Sequence, residues 1–244
     1  VAGGVFLGGS TNGEAVASRN AVAAADAHNL TAVTRRAAVA ATGLAAMQKT
    51  GFIGGNKNNK VIYHMPSIGG FNAAVGYMDG GSDTDADETS TQISYTMPMG
   101  GGSLKLNMVT IATDGATETA AESDGREIGV EYSGGFGRVY ALSQNTETTT
   151  ITGVSTSDQE GTTFGGTYNL NGATKIVYYR QDMDQDGTTD TGDKFSSDTV
   201  GVRYDIAGGL RIGLLHSNYD FTDAGAAANG ENGSATRLQI RMDF

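Results

Sequence analysis

The chain has 244 residues, among them 37 glycines and 2 prolines but no cysteine and no tryptophan, a composition of many short extended segments joined by turns. Without cysteine there is neither a disulfide framework nor a thiol active site, and a net charge of -11 with no basic run argues against a nucleic-acid partner. No run approaches the ~18 uncharged apolar residues of a membrane-spanning helix, whereas the mean hydropathy of -0.26 suits a strand barrel, in which only alternate residues meet lipid.

In chain order, residues 1–9 read as one strand. Residues 10–58 are too long for a hairpin loop, and their Ala-rich stretch 14–48 favours helix. The simplest reading is a single external loop with helical pieces.

From residue 59 onward the sequence divides into stretches of roughly ten residues with period-two alternation. They fall near 59–67, 70–78, 89–98, 103–112, 126–133, 136–146, 162–170, 173–182, 197–206, 209–219 and 235–244. The gaps between them are short and long in turn. The short ones, 67–70, 98–102, 133–135, 169–172 and 207–209, all carry glycine and suit tight periplasmic turns. The long ones, near 79–88, 113–125, 147–161, 183–196 and 220–234, are rich in Asp, Thr, Ser, Gly and Asn and suit external loops.

Alternation is clearest in the last stretch. Leu238, Ile240, Met242 and Phe244 fall on one face and Arg237, Gln239, Arg241 and Asp243 on the other. For 136–146 the pattern fits either facing, and we place Arg138 inside. A soluble antiparallel sandwich shows the same period. Three features favour the membrane: strand length, the short and long rhythm, and aromatic residues near strand ends. Phe71, Tyr77, Tyr132, Phe136, Tyr179, Tyr204, Tyr219 and Phe244 are the candidates for interfacial girdles. The fold class is therefore all-β, an antiparallel transmembrane β-barrel forming one domain over 1–244.

The chain resembles the Gram-negative general porins, the trimeric diffusion pores of the outer membrane. The resemblance rests on a strand followed by the long segment 10–58, on the re-entry NNKVIYHMPSIGGFNAAVGYMDGG, and on the terminal Phe244 preceded by Leu238, Ile240 and Met242. It implies that 1–9 is the end of strand five and that 10–58 is the loop that folds inward to narrow the pore. The eleven later strands then complete a barrel of roughly sixteen. On that expectation the strands before strand five, on the order of 60 to 90 residues, are missing from this sequence.

The resemblance further implies outer-membrane lipid and lipopolysaccharide as surroundings, a homotrimer, and recognition of the C-terminal strand by the barrel assembly machinery. The expected function is a water-filled channel for passive diffusion of small hydrophilic solutes and ions, with no enzymatic activity and no cofactor requirement. A porin's selectivity follows from charged side chains facing the lumen at the constriction. By alternation Lys60, Lys105, Lys175, Arg203, Arg211, Arg237 and Arg241 face inward. Glu14 and Asp26 are the acidic candidates on the folded-in loop, which also carries Arg35 and Arg36.

One local motif suggests a metal. Asp182, Asp184, Asp186 and Gly187 follow the D-x-D-x-D-G spacing of a calcium loop, with Thr188, Asp190 and Asp193 completing the ligand set. Calcium in the external loop 182–193 is accordingly an expectation. The rival reading is a secreted or surface calcium-binding β-rich adhesin or lattice protein, supported by the Asp-rich loops and the low hydropathy.

Overall fold

The computed structural model describes residues 4–8, 60–79, 87–114, 122–150, 155–187, 192–206, 209–222 and 231–242. Twelve strands appear among them: β1 (Gly4–Gly8), β2 (Lys60–His64), β3 (Phe71–Met78), β4 (Glu88–Met99), β5 (Gly102–Thr113) and β6 (Glu122–Gly134), then β7 (Gly137–Thr149), β8 (Ser155–Asn169), β9 (Thr174–Gly187), β10 (Asp193–Asp205), β11 (Leu210–Thr222) and β12 (Glu231–Met242). They form one antiparallel sheet in which every strand pairs only with its sequence neighbours. Each connection is thus a hairpin or a simple return, and β1 and β12 are the edges of the sheet.

The short connections close as the glycines dictate. Gly69 and Gly70 have φ of 58° and 88°, and Ile68 and Phe71 exchange both backbone hydrogen bonds across them at 3.0 and 2.9 Å. Two successive positive φ values match the right-handed twist of the flanking strands in a two-residue turn. Gly100 and Gly101, at 56° and 80°, repeat this between Met99 and Gly102. In the 169–173 connection the Asn171 side chain accepts hydrogen bonds from the amides of Ala173 and Thr174, at 2.9 and 2.8 Å.

All eleven stretches foreseen from residue 59 onward are strands, but several extend further at the external end. β9 runs to Gly187 and β10 starts at Asp193, so most of the gap read as an external loop over 183–196 is paired sheet. The extension escaped the alternation because its outward residues Asp182, Asp184 and Asp186 are all acidic and no apolar outer row continues into it. Gln181 and Gln185 point one way, Asp182, Asp184 and Asp186 the other.

Burial on the sheet is inverted relative to a water-soluble protein. The inner face mixes buried polar side chains, among them Gln92, Ser94, Asn107, Thr163, Gln181 and Thr199, with buried apolar ones such as Val109, Leu142, Met183 and Phe195. The opposite face presents Val75, Leu106, Val130, Val139, Ile176, Val202, Leu214 and Leu238 to the exterior. A soluble sandwich buries its apolar face against a second sheet, and here the apolar face is the open one. That arrangement suits lipid outside and water inside. In lipid an irregular chain would leave backbone groups unpaired at several kcal/mol each, so only a fully hydrogen-bonded sheet is tolerated.

Two of the aromatic assignments need correction. Tyr179 and Tyr219 are 1% and 6% exposed on the inner face, not at the lipid boundary. Each follows or precedes an outward residue by one position, and period two then sends it to the lumen. Phe71, Tyr77, Phe136 and Tyr204 do stand on the outer surface. Tyr77 donates to Asp87 at 3.0 Å near the external end, and Tyr132 donates to the Gly100 carbonyl at 3.2 Å near a periplasmic turn.

Candidate pore lining

Side chains opposite one another in the register share a face, so the inner wall can be read as rows across the sheet. One row runs Gln92, Val109, Glu127, Gln144 and Gly161. The next toward the periplasmic turns runs Ser94, Asn107, Gly129, Leu142, Thr163, Gln181, Ser197 and Tyr219. Amides and hydroxyls bond to one another across the wall. Gln92 donates to Asn107 at 2.9 Å, Gln159 donates to Gln185 at 2.8 Å, and the Thr199 and Ser217 hydroxyls lie 2.5 Å apart. Asn107 Nδ2, Thr163 Oγ1 and Ser197 Oγ on this wall have no protein partner and are left to water.

Charge enters lower on the wall. Lys105 is opposite Glu131, and Arg138 approaches Glu131 at 4.0 Å. Asp205, the last residue of β10, gathers three cations. Lys175 Nζ is 3.5 Å from its Oδ2, Arg203 Nε 3.3 Å from its Oδ1, and Arg211 Nε 3.8 Å from the same oxygen. Register brings them together: Arg203 is opposite Lys175, and Asp205 opposite Arg211. Both pairs sit beside the periplasmic turns, and all four side chains keep some contact with solvent.

The inward placement of Lys105, Lys175, Arg203, Arg211 and Arg237 therefore agrees with the alternation. Their height does not match a mid-barrel constriction for Arg203 and Arg211, which lie at the periplasmic end and are engaged by Asp205. Arg237 is opposite Leu215 higher on the wall, and Arg241 is opposite Arg211 in the register. Glu14, Asp26, Arg35 and Arg36 lie outside the described residues, as does Phe244. Leu238, Ile240 and Met242 share the outer face of β12 and are 65%, 66% and 51% exposed.

The acidic motif is an extended strand through Gly187 rather than a wrapped loop. Asp182, Asp184 and Asp186 alternate with inward residues, while Asp193 is buried on the opposite face, across from Gln185. Asp182 accepts two hydrogen bonds from Arg180, both at 2.7 Å, and Asp184 pairs with Lys194 at 3.4 Å. Thr188 and Asp190 lie outside the described residues. Among the described residues no group of three acidic, His or Cys side chains converges on a point.

Two features escaped the sequence reading. Asp205 gathers the basic residues, and only its odd-numbered parity with Arg203 and Arg211 could have signalled it. On the outer face Arg180 bridges Asp182 to Asp198, at 3.2 Å from the latter, while Tyr178 donates to Asp198 at 2.9 Å. This cluster caps the apolar band of β9 and β10, whose outward residues below it are Tyr178, Ile176, Val200 and Val202.

An open apolar surface around a polar, charged wall is the layout of an outer-membrane channel, and the family described as Gram-negative porin matches residues 3–244. The chain belongs to the Gram-negative porin family. The porin is similar in fold to OmpT of Vibrio cholerae, at 15% identity and a TM-score of 0.59, covering 75% of this chain and 63% of that one. An anion-selective porin from Comamonas acidovorans aligns at 20% identity and a TM-score of 0.59, over 75% of this chain and 58% of its own. The outer-membrane channel DcaP of Acinetobacter baumannii gives 12% identity and 0.55, over 76% and 62%. The porin thus spans less than two thirds of these solved chains. Among curated proteins it has no match. Its place is the bacterial outer membrane.

Proposed function

We propose that this porin forms a water-filled channel through which small hydrophilic solutes and ions diffuse passively, and that it works as a homotrimer. The observation that carries the reading is the sheet's facing, with an apolar face left open and the polar side chains gathered, among apolar ones, on the enclosed face. A solute moving along the inner wall meets amides and hydroxyls that replace part of its hydration, then the basic groups near the periplasmic turns. Aperture and field together set what passes. A narrowing by the segment 10–58, with Glu14, Asp26, Arg35 and Arg36 on it, belongs to this proposal. The trimer form reported for the Vibrio cholerae relative supports the oligomeric state.

Reconstitution of the full-length protein into planar bilayers tests the channel. Stepwise ion conductance is the expected result; a protein that stays soluble and monomeric without detergent and gives no steps would overturn it. The same experiment disposes of the adhesin reading, which the open apolar face already disfavours. Recognition of the C-terminal strand by the assembly machinery predicts that deleting Phe244 lowers the folded fraction in the outer membrane, with unfolded chain accumulating in the periplasm. Contact with lipopolysaccharide belongs to the same membrane reading.

Calcium binding by 182–193 is a separate proposal. The direct comparison is thermal melting with and without chelator, in the wild type and in Asp184→Ala. A chelator effect confined to the wild type is expected if the ion binds, and equal melting in all four samples removes the site.

A further inference from the structure

We propose that the channel carries an axial charge polarity, basic toward the periplasmic turns and acidic toward the external loops, so that it rectifies current and concentrates small anions at its periplasmic mouth. The inference rests on the channel reading above.

Position along each strand carries the argument. Among inward residues whose side chains the structure describes, the cations are Lys105, Arg138, Lys175, Arg203, Arg211 and Arg237. Arg138, Lys175 and Arg211 are each the second residue from the periplasmic end of their strand, Arg203 the third and Lys105 the fourth. Arg237 stands about midway along β12. Only Glu131 and Asp205 oppose them at that level. Toward the external loops the described inward charges are all carboxylates. Glu88 and Asp193 begin β4 and β10 at their external ends, while Glu127, like Arg237, stands about midway along its strand. The chain as a whole is strongly acidic, so the basic lower wall runs against the overall balance.

The sign of the effect follows from electrostatics. A wall of one sign draws in counter-ions and excludes co-ions. With the external side positive, cations move from the cation-favouring half into the anion-favouring half, and anions move the opposite way. Both then accumulate where the halves meet, and conductance rises. With the potential reversed, both drain from that junction and conductance falls. Screening limits the effect, since the Debye length is about 10 Å at 0.1 M salt and about 3 Å at 1 M.

Single channels of the full-length protein are recorded in symmetric 0.1 M and 1 M potassium chloride. In a background free of cysteine, Gly172→Cys in a periplasmic turn, where no atom lies within 4 Å of a new Cβ, reports orientation through a charged, membrane-impermeant thiol reagent added to one chamber. The expected result is larger current with the external side positive at 0.1 M, lost at 1 M. In the triple variant Arg138→Gln, Arg203→Gln, Arg237→Gln the rectification at 0.1 M is lost while stepwise conductance persists. A second measurement needs no variant. Under a salt gradient, the reversal potential of the wild type differs in magnitude when the gradient is inverted. Ohmic wild-type channels, rectification of the opposite sense, equal reversal potentials, or a variant that rectifies like the wild type would each overturn the polarity. Complete absence of conductance steps would instead overturn the channel reading beneath it.

Discussion

The ring of Tyr219 on β11 lies across Gly233 on β12. A Cβ added to Gly233 would stand 2.7 Å from the tyrosine Oη and 2.9 Å from its Cζ, and the two residues are direct partners in the register. An inward aromatic ring laid over a glycine keeps its bulk against the wall instead of in the lumen. In Gly233→Ala the obstructing atoms are the free end of the ring, which can swing aside. The expected outcome is normal folding with a lower single-channel conductance, restored by adding Tyr219→Ala. Unchanged conductance in the single variant would show that the ring does not border the permeation path.

Gly165 sets a different constraint. It lies between Tyr140 and Tyr179 in the register, and a Cβ there would overlap the Cβ of Tyr179 and come within 2.6 Å of the Tyr178 carbonyl oxygen. Backbone cannot swing aside. Gly165→Ala should therefore cost stability, about 1–3 kcal/mol as for other overpacked sites. Denaturant unfolding in detergent or lipid vesicles measures it, and a loss no greater than that of Gly172→Ala in the open turn would contradict the prediction.

Asp205 holds Lys175, Arg203 and Arg211 at the periplasmic end. Asp205→Ala removes one lumenal carboxylate, so permeability should shift toward anions over cations, read from the reversal potential in a salt gradient. The four side chains are partly solvated, so the change in unfolding free energy should stay small, about 1 kcal/mol or less. A shift toward cations would show that the three basic groups do not contribute to the field along the pore.

Val202 stands on the open face between Ile176 and Leu214 in the rows of the sheet. If that face meets lipid, Val202→Arg, at the fourth residue from the periplasmic end of β10, should lower folding stability in vesicles by about 1–2 kcal/mol, less than the about 2–4 kcal/mol at mid-membrane. The same protein in a soluble sandwich would tolerate an exposed arginine. Equal stability of the variant and the wild type would argue against lipid at this position.

The sequence by itself determined the strand order, the turns and the faces. Period two decides which side each residue takes, and paired glycines such as Gly69 and Gly70 fix where hairpins close, because both are properties of the local backbone. Hence Arg203, Arg211 and Arg237 could be assigned inward, and the apolar row of Leu238, Ile240 and Met242 outward, before any pairing was known, whereas the pattern around Arg138 fitted either facing. Strand length at the external ends was not legible, since the outward Asp182, Asp184 and Asp186 leave no apolar outer row to read. Height was not legible either. Only the register, a set of contacts between residues far apart in the chain, brings Lys175, Arg203 and Arg211 onto Asp205 and keeps Glu88 and Asp193 at the other end. Local chemistry chose the face of each charge, and strand pairing chose its depth in the wall.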